Sequence, residues 1–190
     1  MKILENPAQE KLELQCNWPL TGDSVVVIAG AYTGTVARDY IQKYDCILYL
    51  YEPQAWAYDH MAKHFAFQPK VHLFNFGLGV KSGVSLVREY GTDGCSFVDV
   101  GTDSQKVTDC RLVEAEIVLP PVVDVFICNM EGYEHLLIPY LVEKGLIRNI
   151  KYILCQIHGG DREALNRLMN PTHKGGEWIP GGWALWERNG

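Results

Sequence analysis

Val25-Val26-Val27-Ile28-Ala29 runs straight into Gly30-Ala31-Tyr32-Thr33-Gly34, and the reading of this stretch decides the fold. The first five residues are short, apolar and mostly β-branched, which predicts a strand buried on both faces. Beyond the glycines, Val36, Tyr40 and Tyr44 recur at fourfold spacing with Ala37 and Ile41 beside them. That stripe predicts a helix over about 35–44. Glycine at a strand–helix junction permits unusual backbone angles and lets a ligand approach main-chain N–H groups at the helix N-terminus. Taken alone, the turn is equally a tight connection with no ligand.

The same rhythm continues outward. A second strand is predicted over about 46–51, ended by Glu52-Pro53, and a helix from Pro53 through Trp56, His60, His64 and Phe65. Further strands are predicted over about 71–76, 122–130 and 150–157, with a helix over about 134–143. Strands alternating with helices imply right-handed crossovers and a mostly parallel sheet with helices on both faces. The stretch of about 82–119 breaks the rhythm. Residues 85–88 and 111–118 read there as strands, so a β insertion or edge extension is expected. The tail holds a helix over about 161–169 and then a Gly/Pro/Trp segment. That segment reads as a hairpin with its tryptophans in the core, or as a lid. The whole of 1–190 reads as one α/β domain.

Composition narrows the function classes. The 190 residues are 47% hydrophobic and 21% charged, with a formal net charge of −6. No basic run is visible, which argues against broad binding to nucleic acid backbones. The six cysteines include no CxxC pair, so a zinc ribbon or dithiol redox motif has no support. The sequence shows no leader pattern and no apolar stretch of about 20 residues. A cytoplasmic protein without a membrane partner is the expectation.

Four strand ends carry the candidate site. Beside the glycine turn stands Glu52 at the end of the second strand, where an acid commonly accepts hydrogen bonds from ribose hydroxyls. Asn129 and Glu131 follow the fourth strand; in extended backbone, residues two apart face the same way. The local alternative is an Asn/Glu helix cap. Gln156 and His158 end the fifth strand, and His158 is equally a structural histidine. No His/Asp/Glu cluster with metal-ligand spacing is present, so no metal is expected. A dinucleotide fingerprint wants GxGxxG, whereas the glycines here frame GAYTG.

Together these motifs resemble the FkbM-type S-adenosylmethionine-dependent methyltransferases. The resemblance spans roughly 25–158. It rests on Gly30-Ala31-Tyr32-Thr33-Gly34, Tyr51-Glu52-Pro53, Asn75-Phe76-Gly77-Leu78-Gly79, Gly94-Cys95-Ser96, Glu131-Gly132-Tyr133-Glu134 and His158. It implies a Rossmann-like class I methyltransferase fold that binds S-adenosylmethionine. Gly30, Ala31, Tyr32 and Gly34 would meet the methionine portion, Glu52 the ribose, and Phe76 and Gly77 the adenine. His158, Glu131 and Asn129 would form the catalytic set, with His158 or Glu131 removing a proton from a hydroxyl nucleophile. The implied reaction is O-methylation of a small molecule or sugar hydroxyl, with a small-molecule partner and no nucleic acid. Three positions depart from the family pattern. Ile28 replaces an acid, Asn129 ends a segment usually reading Lys-x-Asp, and Gln156 replaces a Glu. They point to the alternative, a methyltransferase-like module that binds without catalysing.

Overall fold

Alternating apolar runs and glycine-framed turns produce two sheets in the computed structural model, which describes residues 18–90, 94–96, 106–179 and 181–190. The main sheet is built from β1 (Val25–Ala29), β2 (Ile47–Tyr51), β3 (Val71–Phe74), β8 (Val123–Cys128), β9 (Ile150–Gln156), β10 (His173–Ile179) and β11 (Trp183–Arg188). Its order is β10-β11-β9-β8-β1-β2-β3. The five strands from β9 to β3 pair in parallel, while β11 runs antiparallel to both β9 and β10. An antiparallel strand inserted before the edge separates this sheet from the dinucleotide order 3-2-1-4-5-6.

The register explains where a site forms. Ala29 lies opposite Tyr51 on one side and Cys128 on the other. Tyr51 in turn pairs with Phe74, and Cys128 with Cys155. The carboxyl ends of five strands therefore stand in one row. The residues that follow them, Gly30, Glu52, Asn75, Asn129 and Gln156, emerge along one edge.

Helices cover both faces. α1 (Thr35–Tyr44) and α2 (Ala55–His64) bury Ala37, Tyr40 and Met61 against Val26, Ile28, Val125 and Ile127. α4 (Glu134–Glu143) and α5 (Arg162–Met169) pack Leu137, Ile138, Leu141, Leu165 and Met169 against Val27, Ala29, Phe126 and Cys128. Successive strand residues thus serve opposite layers, as the two-residue period requires. α5 opens on Asp161, whose carboxylate accepts from the Ala164 amide at 2.9 Å. Among the described residues no helix is long and apolar enough to cross a membrane.

The expected β insertion is a second sheet in the order β4-β7-β5-β6, from β4 (Gly77–Gly79), β5 (Gly83–Tyr90), β6 (Gly94–Ser96) and β7 (Lys106–Glu114). The strand expected over 111–118 is corrected in its second half, because Ala115–Val118 forms a short helix, α3. Its alternation matched a strand by coincidence: Ala115 is fully buried, Ile117 is exposed, and Glu116 reaches Lys144 at 3.0 Å. In the tail, β10 and β11 form the hairpin. Trp186 is fully buried and donates to Asn166 Oδ1 at 3.0 Å. The Trp178 side chain and residues 97–105 of the insertion lie outside the described residues.

Candidate functional site

The turn after β1 takes positive φ at three residues: Gly30 (+80°), Tyr32 (+50°) and Gly34 (+78°). The Gly30 and Ala31 amides both donate to the Tyr51 carbonyl, at 3.0 and 3.2 Å. A Cβ on Gly30 would fall 1.9 Å from the Asn129 carbonyl oxygen, so the close passage of the β8 end demands glycine. A Cβ on Gly34 would fall 2.7 Å from the Phe65 ring, and the residue caps α1 in the left-handed region. Both glycines are therefore required by the chain's own packing. Gly34→Ala is expected to cost roughly 1–3 kcal/mol, from left-handed strain and displacement of the Phe65 ring. Urea unfolding of the variant checks it.

Glu52 is 3% exposed and folded back onto the main chain. One carboxylate oxygen accepts from the Tyr32 amide at 2.7 Å and the other from the Gln54 amide at 2.9 Å. Burial pushes its pKa up to about 7, although the two amide hydrogen bonds work the other way. An ionised carboxylate offers about four lone-pair directions, so acceptor capacity remains after two amides are served. Asn75 closes the neighbouring edge, its Nδ2 donating to the Glu52 carbonyl at 3.1 Å.

Phe76 and Gly77 lie where β3 passes into the second sheet. Phe76 packs against Tyr51 and Phe74, with the Arg111 guanidinium 5.7 Å from its ring centre, and Gly77 is buried in β4. Ala31 is also buried, and Ile28 belongs to the α1–α2 core. Asn129 continues the β1–β8 ladder through its amide, which donates to the Ala29 carbonyl at 3.0 Å. Its side-chain Oδ1 is buried and has no hydrogen-bond partner among the described residues. In native structures such a buried acceptor is served by water or by a bound group.

Beyond Asn129 the backbone is not extended. Glu131 sits at φ +50° and Gly132 at +104°, so Asn129 and Glu131 do not share a strand face as the spacing implied. The turn instead gathers a charge cluster. Glu134, fully buried, accepts from the His158 amide at 2.7 Å and faces its Nδ1 at 3.1 Å through Oε1. Its Oε2 accepts from the Gly132 amide at 2.8 Å. Glu131 meets the other ring nitrogen, Nε2, at 3.3 Å. Burial alone would raise the Glu134 pKa, but the hydrogen bonds from His158 outweigh it and the carboxyl stays low. His158 is raised, first by the hydrogen bond to Glu134 and then by the charge of Glu131, against the effect of burial. Glu131 is raised, chiefly by burial. The ring thus stands between two carboxyl groups that both favour its protonated form.

Two members escaped the reading of single positions. Glu134 was visible only as part of Glu-Gly-x-Glu, with no role of its own. His135, whose Nε2 lies 3.0 Å from the His158 carbonyl, had no signal at all. Gln156 does not join the cluster, since its Nε2 donates to the Gly181 carbonyl at 3.1 Å. No group of three or more His, Cys, Asp or Glu suited to a metal ion occurs among the described residues.

No protein-family model and no curated protein matches the chain. Solved structures do. An rRNA methylase from Streptococcus thermophilus matches over 100% of both chains, with a TM-score of 0.57 and 11% identity. The 23S rRNA methyltransferase ErmE covers 99% of this chain and 70% of its own, at 0.55 and 13%. A candidate tRNA methyltransferase from Streptococcus pneumoniae, in complex with S-adenosyl-L-methionine, covers 95% and 72%, at 0.57 and 12%. At such identities the likeness is one of fold: the chain has the Rossmann-like fold of S-adenosylmethionine-dependent methyltransferases. The expectation of a small-molecule partner and no nucleic acid is corrected, because these structural neighbours are named for rRNA and tRNA. Net charge sums the whole surface and is silent about the charge of any one face.

Proposed function

We propose that the protein is an S-adenosylmethionine-dependent methyltransferase whose acceptor lies in RNA. The observation that carries this reading is the unpartnered Asn129 Oδ1 beside the Gly30 turn, in the row of strand ends that also holds Glu52 and the His158 cluster. The residues fit the cofactor chemically. Asn129 Oδ1 and the turn would take the methionine portion, and the remaining acceptor capacity of Glu52 would take ribose hydroxyls. Phe76 and Gly77 supply an apolar edge for the adenine. S-adenosylmethionine supplies an electrophilic methyl group, so much of the catalysis falls to positioning.

His158 is held at both ring nitrogens by carboxyl groups that favour its protonated form, which suits it to orienting an acceptor rather than to taking its proton. Glu131, partly exposed and raised by burial, is the group placed to take the proton of an acceptor. A sugar hydroxyl stays within this reading, since every RNA ribose carries a 2′-hydroxyl. The FkbM-type resemblance rests on the ordered motifs and belongs to the same proposal.

Titration calorimetry with S-adenosylmethionine and S-adenosylhomocysteine is expected to show binding of both, and labelled methyl groups are expected in RNA after incubation. Absence of binding by either compound overturns the reading. The doubly held His158 also favours a second reading, a module that binds the cofactor without turnover. Binding without transfer to RNA would select it.

A further inference from the structure

Trp56 is 47% exposed at the start of α2, yet its ring is fixed. Its Nε1 donates to Gln54 Oε1 at 2.9 Å, and Gln54 is buried. Tyr32 meets the indole edge-on, with ring centres 5.3 Å apart at 86°. The two rings stand on different connections, one after β1 and the other after β2. A single carboxylate joins them, because Glu52 accepts from the Tyr32 amide through one oxygen and the Gln54 amide through the other. An exposed indole held in this way has already given up its rotamer freedom, so a stacking partner does not have to order it.

We propose that Trp56, braced by Tyr32, is a stacking platform for an unpaired base of the RNA acceptor. The inference rests on the methyltransferase reading above and names how the acceptor is gripped. Aromatic side chains hold unpaired bases whatever their sequence, since every base has a π-face. Trp56 itself is assigned to no part of the cofactor. Tyr32 belongs to the turn assigned to the methionine portion, whereas the adenine is assigned to Phe76 and Gly77 beyond β3.

The test measures binding of a short single-stranded oligoribonucleotide, and of the same oligonucleotide with abasic positions, by anisotropy in the presence of S-adenosylhomocysteine. Trp56→Ala is expected to weaken the intact oligonucleotide about tenfold or more, while Trp56→Phe keeps most of the affinity. The abasic strand should bind wild type weakly and be indifferent to Trp56→Ala. Calorimetry should give all three proteins the same affinity for S-adenosylhomocysteine. An unchanged oligonucleotide affinity in Trp56→Ala overturns the platform and leaves the methyltransferase reading standing. An equal loss of cofactor affinity also overturns it and assigns the ring to the cofactor. Wild type that binds S-adenosylhomocysteine but no oligonucleotide overturns the platform together with the RNA acceptor.

Discussion

Glu134→Gln is expected to lower the unfolding free energy by about 3 kcal/mol at neutral pH, because it removes the fully buried carboxylate that holds the partly exposed His158. The carboxylate serves three donors: the Gly132 amide, the His158 amide and the His158 ring. An amide in its place turns an NH2 group toward at least one of those donors, leaving a buried N–H without an acceptor. The His158 pKa should also fall toward its ordinary value of about 6.5, with only Glu131 left to hold it up. The pH dependence follows with opposite signs for the two partners. His158 is raised in the fold, so its contribution is complete below its unfolded pKa and is lost as pH rises through the folded one. Glu134 is lowered, so its contribution is present above its unfolded pKa and is lost as pH falls through the folded one. Wild type is therefore best served between the two, and the variant should be flatter on both flanks. Urea unfolding across pH with an NMR titration of His158 checks both parts. An unmoved His158 pKa would show that the pair does not act as described.

Much of this fold was readable because its signals were local and redundant. β1 and α1 end where the sequence placed them, since a β-branched run, a glycine and a fourfold apolar stripe all agree on the boundary. The α4 boundaries agree as well, although that helix contains Pro139. Boundaries slipped where side chains override propensity. α2 begins at Ala55 rather than Pro53, because the Glu52 carboxylate holds the Gln54 amide and Gln54 stays extended. Ala115–Val118 slipped for a similar reason: a half-exposed apolar alternation of four residues is also one helical turn, and tertiary packing decides between them.

The candidate site divides along the same line. Strand-end positions were found because parallel register carries every carboxyl end to one edge. What those residues do there was hidden, since it depends on contacts far apart in the chain. Glu52 ties down the amides of Tyr32 and Gln54, Gly30 clears the Asn129 carbonyl, and Glu134 grips His158 across 24 positions. The expectation about partners failed for a different reason: composition reports an average over the surface and is silent about any one face.

Glu52→Gln is expected to change the slope of stability against pH more than its level. The wild-type carboxyl is pushed up from the ordinary carboxylate range to about 7, chiefly by burial, so the fold favours its neutral form. A raised acid penalises folding as pH climbs from the unfolded pKa through the folded one. Relative to wild type, the glutamine variant should therefore gain roughly 3 kcal/mol between about pH 4.5 and pH 8. One acceptor is lost to the NH2 group, but that cost is the same at every pH. The proposed ribose contact adds a second, opposite-going signature. Hydroxyl donors favour the ionised carboxylate, so a bound nucleoside lowers the Glu52 pKa and its affinity must rise as pH passes through about 7. Calorimetry with S-adenosylhomocysteine should show that rise in wild type and a flat profile in Glu52→Gln. If the stability slope changes while the affinity profile does not, Glu52 only holds the turn and the ribose is gripped elsewhere.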